Sequence, residues 1–321
     1  MAGFLDQVRT GCRKVVEQSS HVKINFDGIS AYAGTLPLEQ MFLPELDPVH
    51  HYLGHGEDTT AFLLTLDTIN FGSGYFPHLR KRPGMSGYFT IASSLCDHFR
   101  EHGPFSAREL AEATPDQCTR IFHQDPDNVV VSELMRLFAR ALNDLGRYVS
   151  ERFNGSFSAV VDAAEGSAEK FVKLLTAMPC FNDIEVYDGL LVPFFKRAQL
   201  TAADLSLAFR GEGPGRFYDL DRLTIFADNL VPHVLRVDRI LIYDETLVSR
   251  IDRGEIIPSG CHEEVEIRAN AVHAVELVVQ ELRRTGHSVK AMDLDYLLWN
   301  RGQQPHYKEA HPRHRTRTVF Y

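Results

Sequence analysis

The 321-residue chain is poor in cysteine, has no long apolar run and carries no excess of basic charge. Its five cysteines, Cys12, Cys96, Cys118, Cys180 and Cys261, stand singly with no C-x-x-C pair. That spacing offers neither a zinc ribbon nor a disulfide framework, so a reducing, cytoplasmic setting is expected. No stretch approaches the roughly 18 apolar residues of a membrane span. The N-terminal MAGFLDQVRTGCRKVVEQ alternates apolar and charged residues at helical spacing and has no apolar h-region, so no signal peptide and no membrane partner are expected. With 43 acidic against 34 basic residues the formal charge is -9. A polymeric nucleic acid is a poor partner for such a chain, because covering many phosphates needs clustered cations.

Several catalytic signatures are missing as well: there is no Walker loop, no G-x-G-x-x-G, no H-E-x-x-H and no G-x-S-x-G. His262-Glu263-Glu264-Val265-Glu266 begins like a zinc-protease helix and then fails. The glycines of Arg210-Gly211-Glu212-Gly213-Pro214-Gly215 have neither a preceding strand nor a following lysine, so they read as a turn. His306, His311 and His314 lie close together in an Arg-rich segment, but their spacing suits a polar tail better than a metal site. No metal and no organic cofactor is expected.

What is present is helix-forming sequence. The chain is 44% hydrophobic, and most of it repeats at 3.6 residues with abundant Leu, Ala, Glu and Arg, so the expected class is all-α. Ser106-Ala107-Arg108-Glu109 is a capping box and Thr114-Pro115 a second helix start. A long amphipathic helix is expected from Val129 to about Phe153, and a core helix from about Glu263 to Arg284 with Ile267, Ala271, Ala274, Val278 and Leu282 on one face. No repeat or low-complexity linker interrupts residues 1–321. One unit is expected, with a soft lobe boundary near 154–165.

The segment Leu223 to Arg236 holds an acid, Asp228, among apolar residues and ahead of Pro232, which suits the first turn of a helix. Asp228 reads as an N-terminal cap worth about 1 kcal/mol. A carboxylate at a helix start can equally face a cleft, so the catalytic reading stands beside the structural one.

Asp228-Asn229-Leu230-Val231-Pro232-His233-Val234-Leu235-Arg236 resembles the segment of helix-hairpin-helix DNA glycosylases in which a catalytic Asp precedes a helix. More closely, the chain from Ser20-His21-Val22-Lys23-Ile24-Asn25 onward resembles the queuosine salvage family of queuosine 5′-monophosphate N-glycosidases. The densest matches are Tyr187-Asp188-Gly189 with Phe195-Lys196-Arg197-Ala198-Gln199, Leu223 to Pro232, Glu264 to Ala269, Leu294 to Trp299, and His314 to Tyr321. The family often has bulky aromatics after the Asn-Phe pair, where this chain reads Asn70-Phe71-Gly72-Ser73-Gly74-Tyr75. Met178-Pro179-Cys180-Phe181 lacks the glycine-rich hairpin with which DNA glycosylases grip DNA.

The resemblance implies a compact helix-hairpin-helix glycosylase-like fold and cleavage of queuosine 5′-monophosphate to release queuine. It implies Asp228 as the carboxylate that stabilises an oxocarbenium-like transition state. Asp295 would read the guanine-like edge of the base, and Phe226 and Trp299 would stack on it at about 1 to 3 kcal/mol each. His21 is a candidate contact to the ribose or base substituent, and Glu266 belongs to the same substrate-binding set. Lys196, Arg197 or Arg268 would meet the phosphate. Beside these stand structural readings: Phe226 and Trp299 as core aromatics, Asp295 as a helix cap, Lys196 and Arg197 as a solvated face. A DNA or RNA base glycosylase would share the Asp228 segment but should show a basic stripe. A non-catalytic helical binding module would share the amphipathic helices and turn over no nucleotide.

Overall fold

Helical periodicity becomes helix over most of the chain in the computed structural model, which describes residues 3–39 and 46–321. Among these residues the chain is mainly helical, and strand is confined to two two-stranded antiparallel sheets. By contacts it divides into two units. The first comprises residues 3–39, 183–196 and 219–317, and the second residues 46–182, 197–218 and 318–321.

The first unit is built around the helix His262–Arg284. Acids in its first turn and Arg283 and Arg284 in its last complement the helix dipole. The expected stripe of Ile267, Ala271, Ala274, Val278 and Leu282 is buried. So are Glu264, Glu266, Arg268 and Asn270, so polar side chains also enter the core from the first turns of this helix. Around it lie the helices Asp6–Gln18, Ile29–Thr35, Val231–Val237 and Ala291–Arg301. Strand Val22–Ile24 pairs with Leu241–Tyr243, Lys23 opposite Ile242.

The all-α expectation missed a hairpin in which Ile184–Tyr187 pairs with Leu190–Pro193. Asp188 and Gly189 turn between the strands with φ of 47° and 78°. Two successive positive φ values match the right-handed twist of the strands, and Asp-Gly is the dipeptide that tolerates them best. This signal was present in the sequence between two apolar runs.

The second unit centres on Val129–Phe153, the amphipathic helix expected at those bounds. It packs against Ala107–Ala111 and Pro115–Ile121, whose starts carry the Ser106 and Thr114 capping boxes. Asn154 ends the long helix in a left-handed cap with φ of 50°. Among the described residues no helix is long and apolar enough to cross a membrane.

Candidate functional site

Residues 223–230 run without regular structure into the helix Val231–Val237. Leu223 to Ala227 are buried and Asp228 is half-buried, so the chain surfaces at the acid. Oδ1 of Asp228 accepts hydrogen bonds from the backbone N–H groups of Leu230 at 2.8 Å and Val231 at 3.0 Å. These are helix-entry donors with no partner inside the helix. Oδ2 makes no hydrogen bond among the described residues. The carboxylate is therefore oriented through one oxygen while the other is available.

Two side chains from other elements, and the segment's own Asn229, hold it in place. Arg268 Nε donates to Ala227 O at 3.1 Å, Phe226 N donates to Asp295 Oδ1 at 2.8 Å, and Asn229 Nδ2 donates to His314 O at 3.3 Å. Arg268 is itself fully buried. Its two Nη groups donate to both oxygens of Asp183 at 3.0 and 2.6 Å, Glu264 lies 3.7 Å away, and the Phe194 ring covers the guanidinium at 3.9 Å. Asp183 Oδ2 also accepts from Lys196 N at 3.2 Å. A buried cation is tolerated only when paired and hydrogen-bonded, and here both conditions hold.

Glu266 does a second holding task. Oε1 accepts from Ser20 N at 3.0 Å and the Tyr187 hydroxyl at 2.9 Å; Oε2 accepts from His21 N at 2.7 Å and Val22 N at 2.9 Å. The bond to Glu266 and burial together push the Tyr187 hydroxyl pKa well above its ordinary value, burial being the larger cause. With its backbone fixed in this way, His21 places Nδ1 2.6 Å from Asp244 Oδ2. Asp244 Oδ1 in turn caps the next helix through Leu247 N at 2.7 Å. His21 is half-buried, with 34% of its side chain accessible.

The structure thus brings Asp228, Phe226, Asp295, Lys196, Arg268, Glu266 and His21 into one unit. Asp295 lies inside the helix Ala291–Arg301, not at its start, so the cap reading is corrected. Trp299 follows one turn later on the same helix and is half-buried, and Tyr296 meets the Phe226 ring edge-on at 6.0 Å. Lys196 and Arg197 are buried, which corrects the solvated-face reading. Arg197 belongs to the second unit. Its guanidinium donates to the carbonyls of Asp67, Thr68, Cys180 and Val319 and lies over the Phe71 and Phe181 rings.

Sequence reasoning gave no role to Asp183, Asp244 or Arg313, and read His314 as part of a polar tail. His314 is buried, and its pKa is lowered to about 3 by burial first, then by His233 and the cations Arg268, Arg236 and Arg313. His233 is lowered to about 4, chiefly by burial; its Nε2 lies 2.7 Å from Tyr307 O. His306 and His311 are exposed. No group of three or more metal-binding side chains occurs among the described residues.

Comparison with known proteins places most of the chain in one family. A family model described as queuosine salvage protein matches residues 50–321. A Sphaerobacter thermophilus protein named queuosine 5′-phosphate N-glycosylase/hydrolase is 38% identical over 98% of this chain and 97% of its own length. Proteins of the same name from Dictyostelium discoideum and Bos taurus are 34% and 30% identical, over 83% and 98% of this chain and 79% and 98% of their own lengths. The chain belongs to the queuosine salvage protein family.

Proposed function

We propose that this protein hydrolyses the N-glycosidic bond of queuosine 5′-monophosphate and releases queuine. Similarity to relatives of that name along nearly the whole chain carries the reaction. The chemistry asks for a carboxylate beside the anomeric carbon, where positive charge develops as the bond to the base breaks. Asp228, oriented through Oδ1 and open at Oδ2, is our choice for that carboxylate. Water completes the reaction at the anomeric carbon, and the proton it loses balances the one gained by the departing base. Because queuine is a 7-deazaguanine, position 7 is carbon and offers no nitrogen to protonate. Recognition of the leaving group then falls to other edges of the ring.

Asp295 is the proposed reader of the guanine-like N1–H and amine. Phe226 and Trp299 are the proposed stacking surfaces, and His21 the contact to ribose or to the base substituent. Glu266 acts in our reading by holding His21, and Arg268 by holding the Asp228 loop, because both are engaged by protein partners. Lys196, in the same unit as Asp228, is a candidate for a secondary contact to the phosphate. We further propose that residues 1–321 form one catalytic unit of helix-hairpin-helix glycosylase-like fold, acting in the cytoplasm without polymeric nucleic acid, membrane or cofactor. The net charge of -9 and five free thiols support that setting.

The test is mass-spectrometric detection of queuine after incubation with queuosine 5′-monophosphate. Wild-type protein should release it, and Asp228→Ala should lose at least about 10²-fold in kcat, the cost of removing one transition-state charge partner. Undiminished release by the variant would discard Asp228 as the carboxylate.

A further inference from the structure

A phosphomonoester bound by a protein of charge -9 needs a cation whose donors the protein has not already used. Around residues 224–230 most cations are committed. Arg268 is held by Asp183 and Ala227. Arg236 reaches Pro312 O at 3.5 Å and lies over the Tyr243 ring at 5.1 Å. Arg313 differs: its guanidinium makes no hydrogen bond and no ion pair among the described residues, although it is half-buried.

The backbone on both sides of Arg313 is anchored. Pro312 O accepts from Arg236 Nη1 and His314 O accepts from Asn229 Nδ2 at 3.3 Å. From residue 313 onward burial alternates: His314 and Thr316 are buried, while Arg313, Arg315 and Arg317 are half-buried on the opposite side, as an extended chain requires. Arg315 uses its guanidinium on Gly254 O. The bond from Asn229 to the neighbouring carbonyl sets Arg313 beside Asp228, within electrostatic reach of its carboxylate.

We infer that Arg313 receives the 5′-phosphate of the substrate and sets the preference for a nucleoside monophosphate over the nucleoside. The inference rests on the reading that the chain acts on queuosine 5′-monophosphate, and it names the phosphate contact within that site. A guanidinium presents its donors as a planar fork that two phosphate oxygens can fill together. Burial has already removed part of the hydration of Arg313 and pulls its pKa down, with Asp228 pulling the other way. A dianion arriving there finds a cation with little water left to displace.

The experiment compares wild type, Arg313→Gln and Arg313→Lys, all checked for unchanged melting. The kcat/KM for queuosine 5′-monophosphate and for queuosine is measured, and ribose 5-phosphate affinity is determined by calorimetry. Losing a charge-assisted contact should lower the monophosphate-to-nucleoside preference about 10- to 100-fold in Arg313→Gln, with partial recovery in Arg313→Lys. Ribose 5-phosphate should weaken by a similar factor. An unchanged preference, with both substrates falling equally and ribose 5-phosphate bound as before, overturns the inference and makes Arg313 a positioning residue for Asp228. A wild type inert on both substrates fails the N-glycosidase reading alone. In that event ribose 5-phosphate still decides, since binding lost in the variant supports the phosphate site and binding equal or absent overturns it.

Discussion

Arg268 is enclosed by protein on every side, with Asp183 taking both Nη groups and Glu264 next in distance at 3.7 Å. Replacing Asp183 by Asn keeps the shape and removes the closest counter-charge. Breaking a buried pair from one side typically costs about 3 to 5 kcal/mol, because the remaining ion stays dehydrated. Urea denaturation of Asp183→Asn should therefore show a loss of that order, reduced to the extent that Glu264 moves in. A midpoint equal to that of wild type would mean that Glu264 alone neutralises the guanidinium. The same substitution should slacken the carbonyl of Ala227 and, one residue on, Asp228. Nothing near Asp183 in the sequence announced this role. Its partner lies 85 positions away, and only folding joins them.

At the scale of elements, glycine inside a helix is ordinarily a weakness, and Gly146 sits within Val129–Phe153. Exchange for Ala would be expected to stabilise a free helix by about 1 kcal/mol. Here a Cβ at 146 would stand 2.1 Å from Ala111 N and 2.4 Å from Ala107 O, backbone atoms of the neighbouring helix. Overpacking against backbone costs about 1 to 3 kcal/mol, so the packing effect wins and Gly146→Ala should lower Tm in a thermal melt. A raised Tm would mean that the two helices separate at little cost. The long helix itself was legible, because 3.6-residue spacing of apolar residues is a local signal; its Asn128 and Asn154 caps came with the structure. So were the capping boxes at Ser106 and Thr114. The hairpin at Asp188-Gly189 was overlooked although its turn chemistry is also local, because strands of four residues are outweighed by helical surroundings. Burial of Lys196 and Arg197 was not legible at all. A charged pair at the start of an amphipathic segment looks solvated until the acceptors that enclose it are known.

At the scale of the whole molecule, buried titratable groups set how stability answers to pH. His233 and His314 drop from an ordinary 6.5 to about 4 and about 3. Between these values and 6.5 the unfolded chain holds protons on both that the folded chain refuses. Their contribution is complete above pH 6.5 and is lost as pH falls. Glu185 acts oppositely: burial first, then Glu264, raises it from 4.5 to about 7, so the folded chain holds the extra proton in that window. Two deeply buried histidines outweigh one half-exposed acid, whose contribution solvent screens. Folding stability should therefore rise from pH 5 to 6.5 by roughly 1 kcal/mol per pH unit, the value of one net proton. Urea titrations at the two pH values check the sign. His233→Gln should flatten the slope, and a slope of opposite sign would assign control to Glu185.

Arg197 and Gly72 give the last residues of the sequence a further part. Val319 O accepts from the Arg197 guanidinium and Tyr321 O from Gly72 N at 3.0 Å. Residues 318–321 thereby belong with residues 46–182 and 197–218, while the other unit needs residues 219–317 to surround its central helix. On the ribosome, the first unit lacks a piece until residue 317 has been made, and the second until residues 318–321 have followed. The nascent chain must wait, with apolar helix faces uncovered, for residues 219–321 to leave the exit tunnel. Chaperones that shield such faces have more time to act here than on a protein whose domains finish one after the other.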